Sequence, residues 1–316
     1  MDEIYSPQFK TLETGFTHWL HTLGYSEATI TTRKRNIKEF LLYLERNNIH
    51  TIEQITNYQT RRFTSYLKHR ENMKSGSGLM NASINVGVST VNKFIEYLEQ
   101  IRQTKTIINK LEYVEEYYKP RNILTLKEIN YLYEATYYKI QNTREGTQSI
   151  HAAVSQRDRA MLGIYYGCGL RKSEGINLTV KDVLAERKLV FVRKGKGCKE
   201  RYVPITEGNL NYITEYLHHG REYLLSKAQR RTEAFFINQS GTPCSDQALS
   251  TRLEKLAQRS ENSSLQDKKP TLHTLRHSIA THLLAQGMEI EMIQQFLGHA
   301  TLESTQIYTH ILNEVL

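Results

Sequence analysis

The chain has 316 residues, with 42 lysines and arginines against 33 aspartates and glutamates, which gives a formal net charge of +9. This length is enough for two domains, each with a core of its own. An excess of positive charge favours polyanionic partners, namely DNA, RNA or, less often, an anionic membrane surface.

Two classes of protein are disfavoured by the sequence. No apolar run approaches the roughly 20 residues that span a bilayer, and Met1-Asp2-Glu3-Ile4 lacks the basic and apolar segments of a secretory signal. We therefore predict a cytoplasmic protein with no membrane partner. The cysteines, Cys168, Cys198 and Cys244, form no CxxC pair. This spacing argues against a disulfide framework and against a structural zinc site.

The first hundred residues have the apolar periodicity of helices. Ser26 is placed to cap a second helix, a third covers about Thr56–Arg70, and a fourth follows the glycine-rich break at 74–78. We predict a compact helical domain over residues 1–104, whose lysines and arginines either face solvent or contact DNA. Apolar side chains mark the first helix at Phe9, Leu12, Phe16, Trp19, Leu20 and Leu23.

Beyond this domain the periodicity fades and Pro120 interrupts it, which predicts a linker over residues 105–120. A second domain is predicted over residues 121–316. It opens with a capping box in which Thr125 and Glu128 stand three residues apart.

The second domain is predicted to be mainly helical, with one small β-sheet element. Leu189–Arg193 and Arg201–Ile205 form a β-hairpin around a glycine-rich turn, and Phe235–Ile237 adds a short strand. The polar stretch Gln141–Gln156 is interpreted as an insertion between helices. Three helices close the chain over about Leu272–Gln286, Glu289–Leu297 and Glu303–Val315.

Two local patterns in this domain place a cation at a sharp bend. In GLRKSE, from Gly169 to Glu174, one helix ends at glycines and another begins, so that Arg171 stands at a junction that can face a phosphate. In GKGCKER, glycines put Lys196 at the tip of the predicted hairpin. Taken alone, each residue is more simply an ordinary surface cation.

A third pattern, further along the chain, indicates a common function for Arg171 and Lys196. His273 and Arg276 lie three residues apart on one helical face, followed by Leu297-Gly298-His299 and then by Tyr308. In order and spacing the chain resembles the tyrosine recombinase (phage integrase) superfamily, and most of all its Xer-type and transposon-borne members. The strings that carry the resemblance are GLRKSE, GKGCKER, HTLRHSIATHLL, LGH and TQIYTH. The matching signature positions are Arg171, Lys196, His273, Arg276, His299 and Tyr308.

The resemblance implies a fold and a phosphate-binding site. The fold is an N-terminal helical, SAM-like core-binding domain followed by a mixed α/β catalytic domain. Arg171 and Arg276 are expected to clamp the non-bridging oxygens of the DNA phosphate, because guanidinium groups bind phosphate at two points. His299 adds a hydrogen bond to the same phosphate, and Glu174 orients the arginines.

The resemblance also implies the chemistry. Tyr308 is the expected nucleophile, and it forms a covalent 3′-phosphotyrosine with DNA. A tyrosine hydroxyl has a pKa near 10 and needs a proton acceptor, for which His273 is the candidate. Lys196 is the candidate acid for the 5′-oxygen leaving group. A transesterification of this kind conserves bond energy, so no ATP, metal or other cofactor is expected.

The resemblance further implies the partners, which are double-stranded DNA sites with inverted half-sites and a homotetramer assembled on two sites. Two alternatives stay open, a type IB topoisomerase with the same chemistry and a non-catalytic DNA-binding protein. Whether the outcome is integration, excision, inversion or dimer resolution also stays open, as does a place on a mobile element.

Overall fold

The structure is a computed structural model that describes residues 3–71, 76–101, 108–115, 122–137, 145–193 and 200–298, with the backbone alone for residues 145–148. The chain divides into two compact units, Met1–Lys119 and Pro120–Leu316. Each unit has its own buried apolar core. In the described residues the fold is mainly α-helical with one small antiparallel sheet, which confirms the predicted fold class.

The first unit is a helical domain whose helices begin at polar caps. The Ser26 hydroxyl accepts a hydrogen bond from the Thr29 amide, as the sequence predicts for the start of the second helix. The four predicted apolar faces meet in one core, in which the Phe16 and Phe94 rings pack edge to face with centroids 5.4 Å apart. The helices are α1 Pro7–Thr22, α2 Glu27–Arg46, α3 Asn57–His69 and α4 Asn81–Gln100.

Residues 108–115 pack on α4 in extended form, held by asparagine side chains. Asn92 donates to the Leu111 carbonyl at 2.9 Å and accepts from the Leu111 amide at 2.7 Å. Asn85 makes the same pair with Val114, at 2.8 Å in each direction. These amides replace a neighbouring strand as backbone partners, so the segment belongs to the first unit. The predicted linker, 105–120, falls partly outside the described residues, and the predicted domain boundaries stay a prediction.

The second unit begins at the predicted capping box. The Thr125 amide donates to Glu128 Oε2 at 2.7 Å, and the Glu128 amide donates to the Thr125 hydroxyl at 3.2 Å. Of the stretch interpreted as an insertion, residues 145–156 belong to a helix and 141–144 lie outside the described residues. Its helices are α5 Leu126–Glu134, α6 Glu145–Leu162, α7 Lys172–Ile176, α8 Glu207–Glu215, α9 Arg221–Leu225, α10 Asp246–Arg259, α11 Ser263–Lys268, α12 Leu272–Ala285 and α13 Ile290–Leu297.

The sheet contains the predicted hairpin and one strand more. Its strands are β1 Val183–Leu184, β2 Leu189–Val192 and β3 Arg201–Pro204, antiparallel in that order. Val192 of β2 pairs with Arg201 of β3 at the end nearest the turn. The predicted turn residues and the predicted helix Glu303–Val315 lie outside the described residues.

The predicted strand Phe235–Ile237 is wrong. The three side chains are fully buried, but the segment makes only isolated bridges, Thr179 with Ala234 and Ile237 with Pro243. Tyr216 supplies part of the backbone pairing, because its hydroxyl donates to the Phe235 carbonyl at 3.1 Å and accepts from the Ile237 amide at 3.2 Å, while Leu178 and Cys244 supply single backbone bonds. A buried side chain thus satisfies backbone groups that a sheet would otherwise satisfy.

Candidate active site

Arg171 stands at the junction between two helices, as the sequence predicts. Helix α6 continues as a wider turn through Gly163–Gly167, and Arg171 directly precedes α7. Gly169 makes the bend with φ +60°, and a Cβ there would lie 2.9 Å from the Phe296 ring of α13. Glycine is therefore required both by the left-handed backbone and by the close approach of α13.

Glu174, on the first turn of α7, joins two arginines. Its carboxylate accepts hydrogen bonds from the Arg171 amide and from Arg171 Nη1, both at 2.8 Å. Arg201 Nη1 and Nη2 bind the two carboxylate oxygens at 3.0 and 2.9 Å. Arg276 Nη1 lies 3.8 Å from the same carboxylate. A single buried acid thus holds together cations from three places, the junction before α7, β3 and α12.

The charge on Glu174 is stable in this setting. Burial opposes ionisation, but the hydrogen bonds and charge of Arg201, followed by the amide and side chain of Arg171, outweigh it and lower the pKa of Glu174 to about 2. Glu174 is therefore an anion at any physiological pH and acts as a fixed counter-charge.

Three arginines also converge on the C-terminal end of α13. The last carbonyl groups of a helix have no partner within the helix and form the negative end of its dipole, so cations are stabilised there. This contact fixes where the chain leaves α13, directly before position 299. The hydrogen bonds run from Arg201 Nε to Phe296 O at 3.1 Å, from Arg276 Nη2 to Leu297 O at 2.8 Å and from Arg171 Nη2 to Gly298 O at 2.7 Å.

The two predicted clamp arginines differ in exposure. Arg276 is 1% exposed and also donates from Nη1 to the Gly169 carbonyl at 2.6 Å. The Arg171 side chain is 27% exposed, so it is the one that an incoming phosphate can reach more readily. Cations withdrawn from water in this way attract an added anion more strongly than surface cations do.

The remaining predicted site residues divide into two groups. His273 is exposed on α12, three residues before Arg276, with its ring 4.4 Å from that of His277. Lys196, His299 and Tyr308 lie outside the described residues. The structure therefore brings together Arg171, Glu174 and Arg276, places His273 on the same helix as Arg276, and leaves the roles of all seven residues to be tested.

Arg201 is a site residue that the sequence analysis did not single out. Its side chain is 10% exposed and makes three hydrogen bonds within the cluster. The signal was present in the string GKGCKER, whose final arginine follows Lys196 by five positions. The alternating pattern of Arg201–Ile205 predicts only that Arg201 begins the second strand of the hairpin.

Comparison with known proteins identifies the family. Residues 123–314 match the phage integrase family and residues 15–101 match the phage integrase N-terminal SAM-like domain. The chain belongs to the phage integrase family, and it is a tyrosine-type site-specific recombinase.

Similar proteins include recombinases from several bacteria. Tyrosine recombinase XerD of Oceanobacillus iheyensis is 33% identical over 302 residues, with 94% of this chain and 92% of that protein covered. Tyrosine recombinase XerC of Bacillus subtilis strain 168 is 31% identical over 296 residues, with 93% and 89% covered.

Two solved structures share the fold. XerH recombinase bound to a palindromic difH substrate superposes with a TM-score of 0.71 at 20% identity, over 99% of this chain and 96% of that one. The Tn1549 transposon integrase in complex with transposon right end DNA gives 0.68 at 18% identity, with 94% of each chain covered.

The described residues contain neither a metal-binding group nor a membrane-spanning helix. Within the described ranges, no group of three or more His, Cys, Asp or Glu side chains could hold a metal ion. In the same part of the chain, no helix is both long and apolar enough to cross a membrane.

Proposed function

We propose that this recombinase cuts and rejoins DNA by transesterification through a covalent 3′-phosphotyrosine formed by Tyr308, without ATP or metal. The observation that carries the proposal is the cluster in which Glu174 lies against Arg171 and within 3.8 Å of Arg276. Two arginines, one just before α7 and one on α12, are held near one anion, and an arrangement of this kind preorganises donors for the charge that develops on an attacked phosphate.

The proposed cleavage step forms one bond and breaks one. The Tyr308 oxygen attacks the phosphorus, its proton passes to His273, and the bond from phosphorus to the 5′-oxygen breaks. Lys196 protonates that oxygen to give a free 5′-hydroxyl. Rejoining reverses the step with the 5′-hydroxyl of another strand, so the phosphodiester bond energy is kept throughout.

The proposed role of the arginines is to stabilise the negative charge of the transition state. Attack on a phosphodiester raises the negative charge on the non-bridging oxygens, and fixed cationic donors lower the barrier by binding it. Arg171 and Arg276 supply those donors in the proposal, and His299, directly after Gly298, adds another. In many phosphoryl-transfer enzymes a metal ion does this electrostatic work.

The proposed partners are DNA sites with inverted half-sites, bound by a homotetramer across two sites. In solved structures, XerH is bound to a palindromic difH substrate, and a lambda integrase dimer is bound to a COC′ core site. A cytoplasmic location also stays a prediction.

A suicide substrate tests the proposal. DNA containing the target site is nicked close to the cleavage position, so that the short 5′-hydroxyl fragment diffuses away and the protein stays attached. The wild-type protein is expected to give a band of slower mobility on a denaturing gel, and Tyr308→Phe to give none while binding DNA as well as the wild type. A shifted band with Tyr308→Phe would contradict the proposal. Relaxation of supercoiled DNA without exchange between sites would instead indicate a topoisomerase.

A further inference from the structure

Arg201 joins three separate parts of the catalytic unit. It is the first residue of β3, five positions after Lys196 in the sequence. Its two terminal nitrogens bind both oxygens of Glu174 on α7, and its Nε donates to the Phe296 carbonyl at the end of α13. Among the described residues, this side chain therefore connects the base of the hairpin, the acid of the cluster and the helix end that precedes position 299.

The two-point pairing with Glu174 matters for Arg171 as well. One carboxylate serves both arginines, and a carboxylate shared between two guanidinium groups is held in a single orientation. Without Arg201, Glu174 would keep only its contacts with Arg171 and its near approach to Arg276. The carboxylate would then lose two of its four hydrogen bonds, so Glu174, and with it Arg171, would be held less firmly.

Arg201 also sets the charge of the cluster. Arg171, Arg201 and Arg276 surround the single anion Glu174, so the four side chains leave two formal positive charges. A phosphodiester has one negative charge and gains a second when an anionic oxygen attacks it. Loss of Arg201 would remove one of these positive charges, and with it part of the electrostatic stabilisation available to the transition state.

We propose that Arg201 is a positioning residue of the active site, which holds Glu174 and the end of α13 so that Arg171 meets the phosphate in a fixed geometry. The proposal rests on the function proposed above. Arg201 acts through its neighbours, because Glu174 and the Phe296 carbonyl engage its Nε and both of its terminal nitrogens. Its loss is therefore expected to slow the chemical step and to leave the affinity for DNA nearly unchanged.

The test compares Arg201→Gln and Arg201→Lys with Arg221→Gln as the matched control. Arg221 is also a buried arginine that donates to backbone carbonyls, those of Thr232 and Ala234, at 2.6 and 2.8 Å. It lies outside the cluster, so its loss reports the cost of removing a buried guanidinium as such. Single-turnover cleavage of the suicide substrate gives the rate of the chemical step, and fluorescence anisotropy gives the dissociation constant.

Arg201→Gln is expected to form the covalent complex at least about 100-fold more slowly than the wild type, as the loss of a preorganising contact typically does. Its dissociation constant should stay within about threefold, since phosphate contacts dominate affinity. Arg221→Gln is expected to lower the melting temperature and to keep the wild-type cleavage rate. Arg201→Lys keeps the charge without the two-point pairing, and an intermediate rate is expected.

A double-mutant comparison with Glu174 distinguishes a positioning role from a purely structural one. In the Glu174→Gln background, Arg201→Gln is expected to slow cleavage by less than about tenfold, because the partner that it positions is already gone. Undiminished slowing in that background would overturn the proposal. If Arg201→Gln fails to fold, Arg201→Lys decides, and wild-type cleavage by the lysine variant would overturn it equally.

The two proposals fail in different ways in this experiment. If the wild-type protein forms no covalent complex, the proposed function is wrong. If the wild-type protein cleaves DNA and Arg201→Gln cleaves it at the same rate, the function stands and only the role of Arg201 is contradicted.

Discussion

Gly298 lies so close to Arg201 that position 298 has no room for a side chain. A Cβ on Gly298 would stand 2.7 Å from Arg201 Nη1 and 2.9 Å from its Cδ. The glycine also ends α13 with φ +65°, in the left-handed region. The end of α13 therefore packs directly against the Arg201 side chain, and a change in the position of one is expected to displace the other.

Gly298→Ala is expected to disturb the arginine cluster as well as the helix end. Gly287→Ala is the matched control, because Gly287 has φ +84° and nothing within 4 Å of the added Cβ. The control should lose about 1 kcal/mol of unfolding free energy from backbone strain alone. Gly298→Ala should lose more than that in urea denaturation and should also slow DNA cleavage. Equal losses in both variants and unchanged cleavage would contradict the packing described here.

A second prediction concerns the pH dependence of stability. The pKa of Glu174 is lowered from 4.5 to about 2 in the folded protein. A lowered folded pKa contributes stability that is present above the unfolded pKa and is lost as the pH falls towards the folded one. Glu174→Gln should therefore cost roughly 3 kcal/mol of unfolding free energy near neutral pH, with a cost that shrinks as the pH falls below about 4.5.

Urea denaturation of the wild-type protein and of Glu174→Gln, from neutral pH down to pH 3, measures the difference in unfolding free energy. Glu207→Gln is the control, since Glu207 is 75% exposed and pairs with Lys188 at the surface. Its effect on the unfolding free energy should stay below about 1 kcal/mol. A cost of Glu174→Gln that was the same at every pH would show that the carboxylate charge is not what stabilises the cluster.

The proposed roles of Lys196 and Arg171 separate when the leaving group is changed. Replacing the bridging 5′-oxygen with sulfur removes the need for a proton on the leaving group, because a thiolate leaves readily without one. Lys196→Ala should be slow on normal DNA and recover at least about tenfold on the sulfur substrate, since general acid catalysis is worth that much or more. Arg171→Ala should not recover, since its contact is to the non-bridging oxygens. Equal recovery in both variants would refute the assignment.

Binding to the recombination site is expected to be cooperative and strongly dependent on salt. Phosphate contacts by lysine and arginine release counterions, so affinity should fall by about 10³-fold or more between 50 and 200 mM salt if six or more phosphates are contacted. Sedimentation of the protein with DNA should give a complex of four chains on two sites. A fully active complex with one chain would contradict the proposed assembly.

The sequence predicts the helices well because their signals are local. Apolar spacing and the caps at Ser26 and Thr125 place the starts of α2 and α5, and the predicted helix Leu272–Gln286 differs from α12 by one residue. The hairpin is also local, since alternating strands flank glycines. Signals of this kind depend on residues a few positions apart.

The failures come from contacts that are distant in sequence. Phe235–Ile237 has the composition of a strand, but its backbone bonds to scattered partners, which are the hydroxyl of Tyr216, the Leu178 carbonyl and the Cys244 amide. Arg201 bonds to the Phe296 carbonyl across 95 positions. No periodicity links such residues, so their pairing becomes visible only when the chain is folded.

The candidate site shows the same division. The order of Arg171, Arg276 and Tyr308 is legible as a family signature, and Glu174 was expected beside the arginines. The sequence does not predict that three arginines donate hydrogen bonds to the last carbonyl groups of α13. Every residue has a backbone carbonyl group, so the residue types do not show which carbonyl groups accept.

The most direct test of the account is the chemical identity of the protein–DNA linkage. The wild-type protein is incubated with the suicide substrate in excess EDTA without ATP, the covalent complex is digested with protease and nuclease, and the modified peptide is sequenced by mass spectrometry. The account predicts a nucleotide attached through its 3′-phosphate to Tyr308, with a 5′-hydroxyl on the released fragment. A 5′-phosphate linkage, attachment at another residue, or cleavage that requires added Mg²⁺ would contradict it.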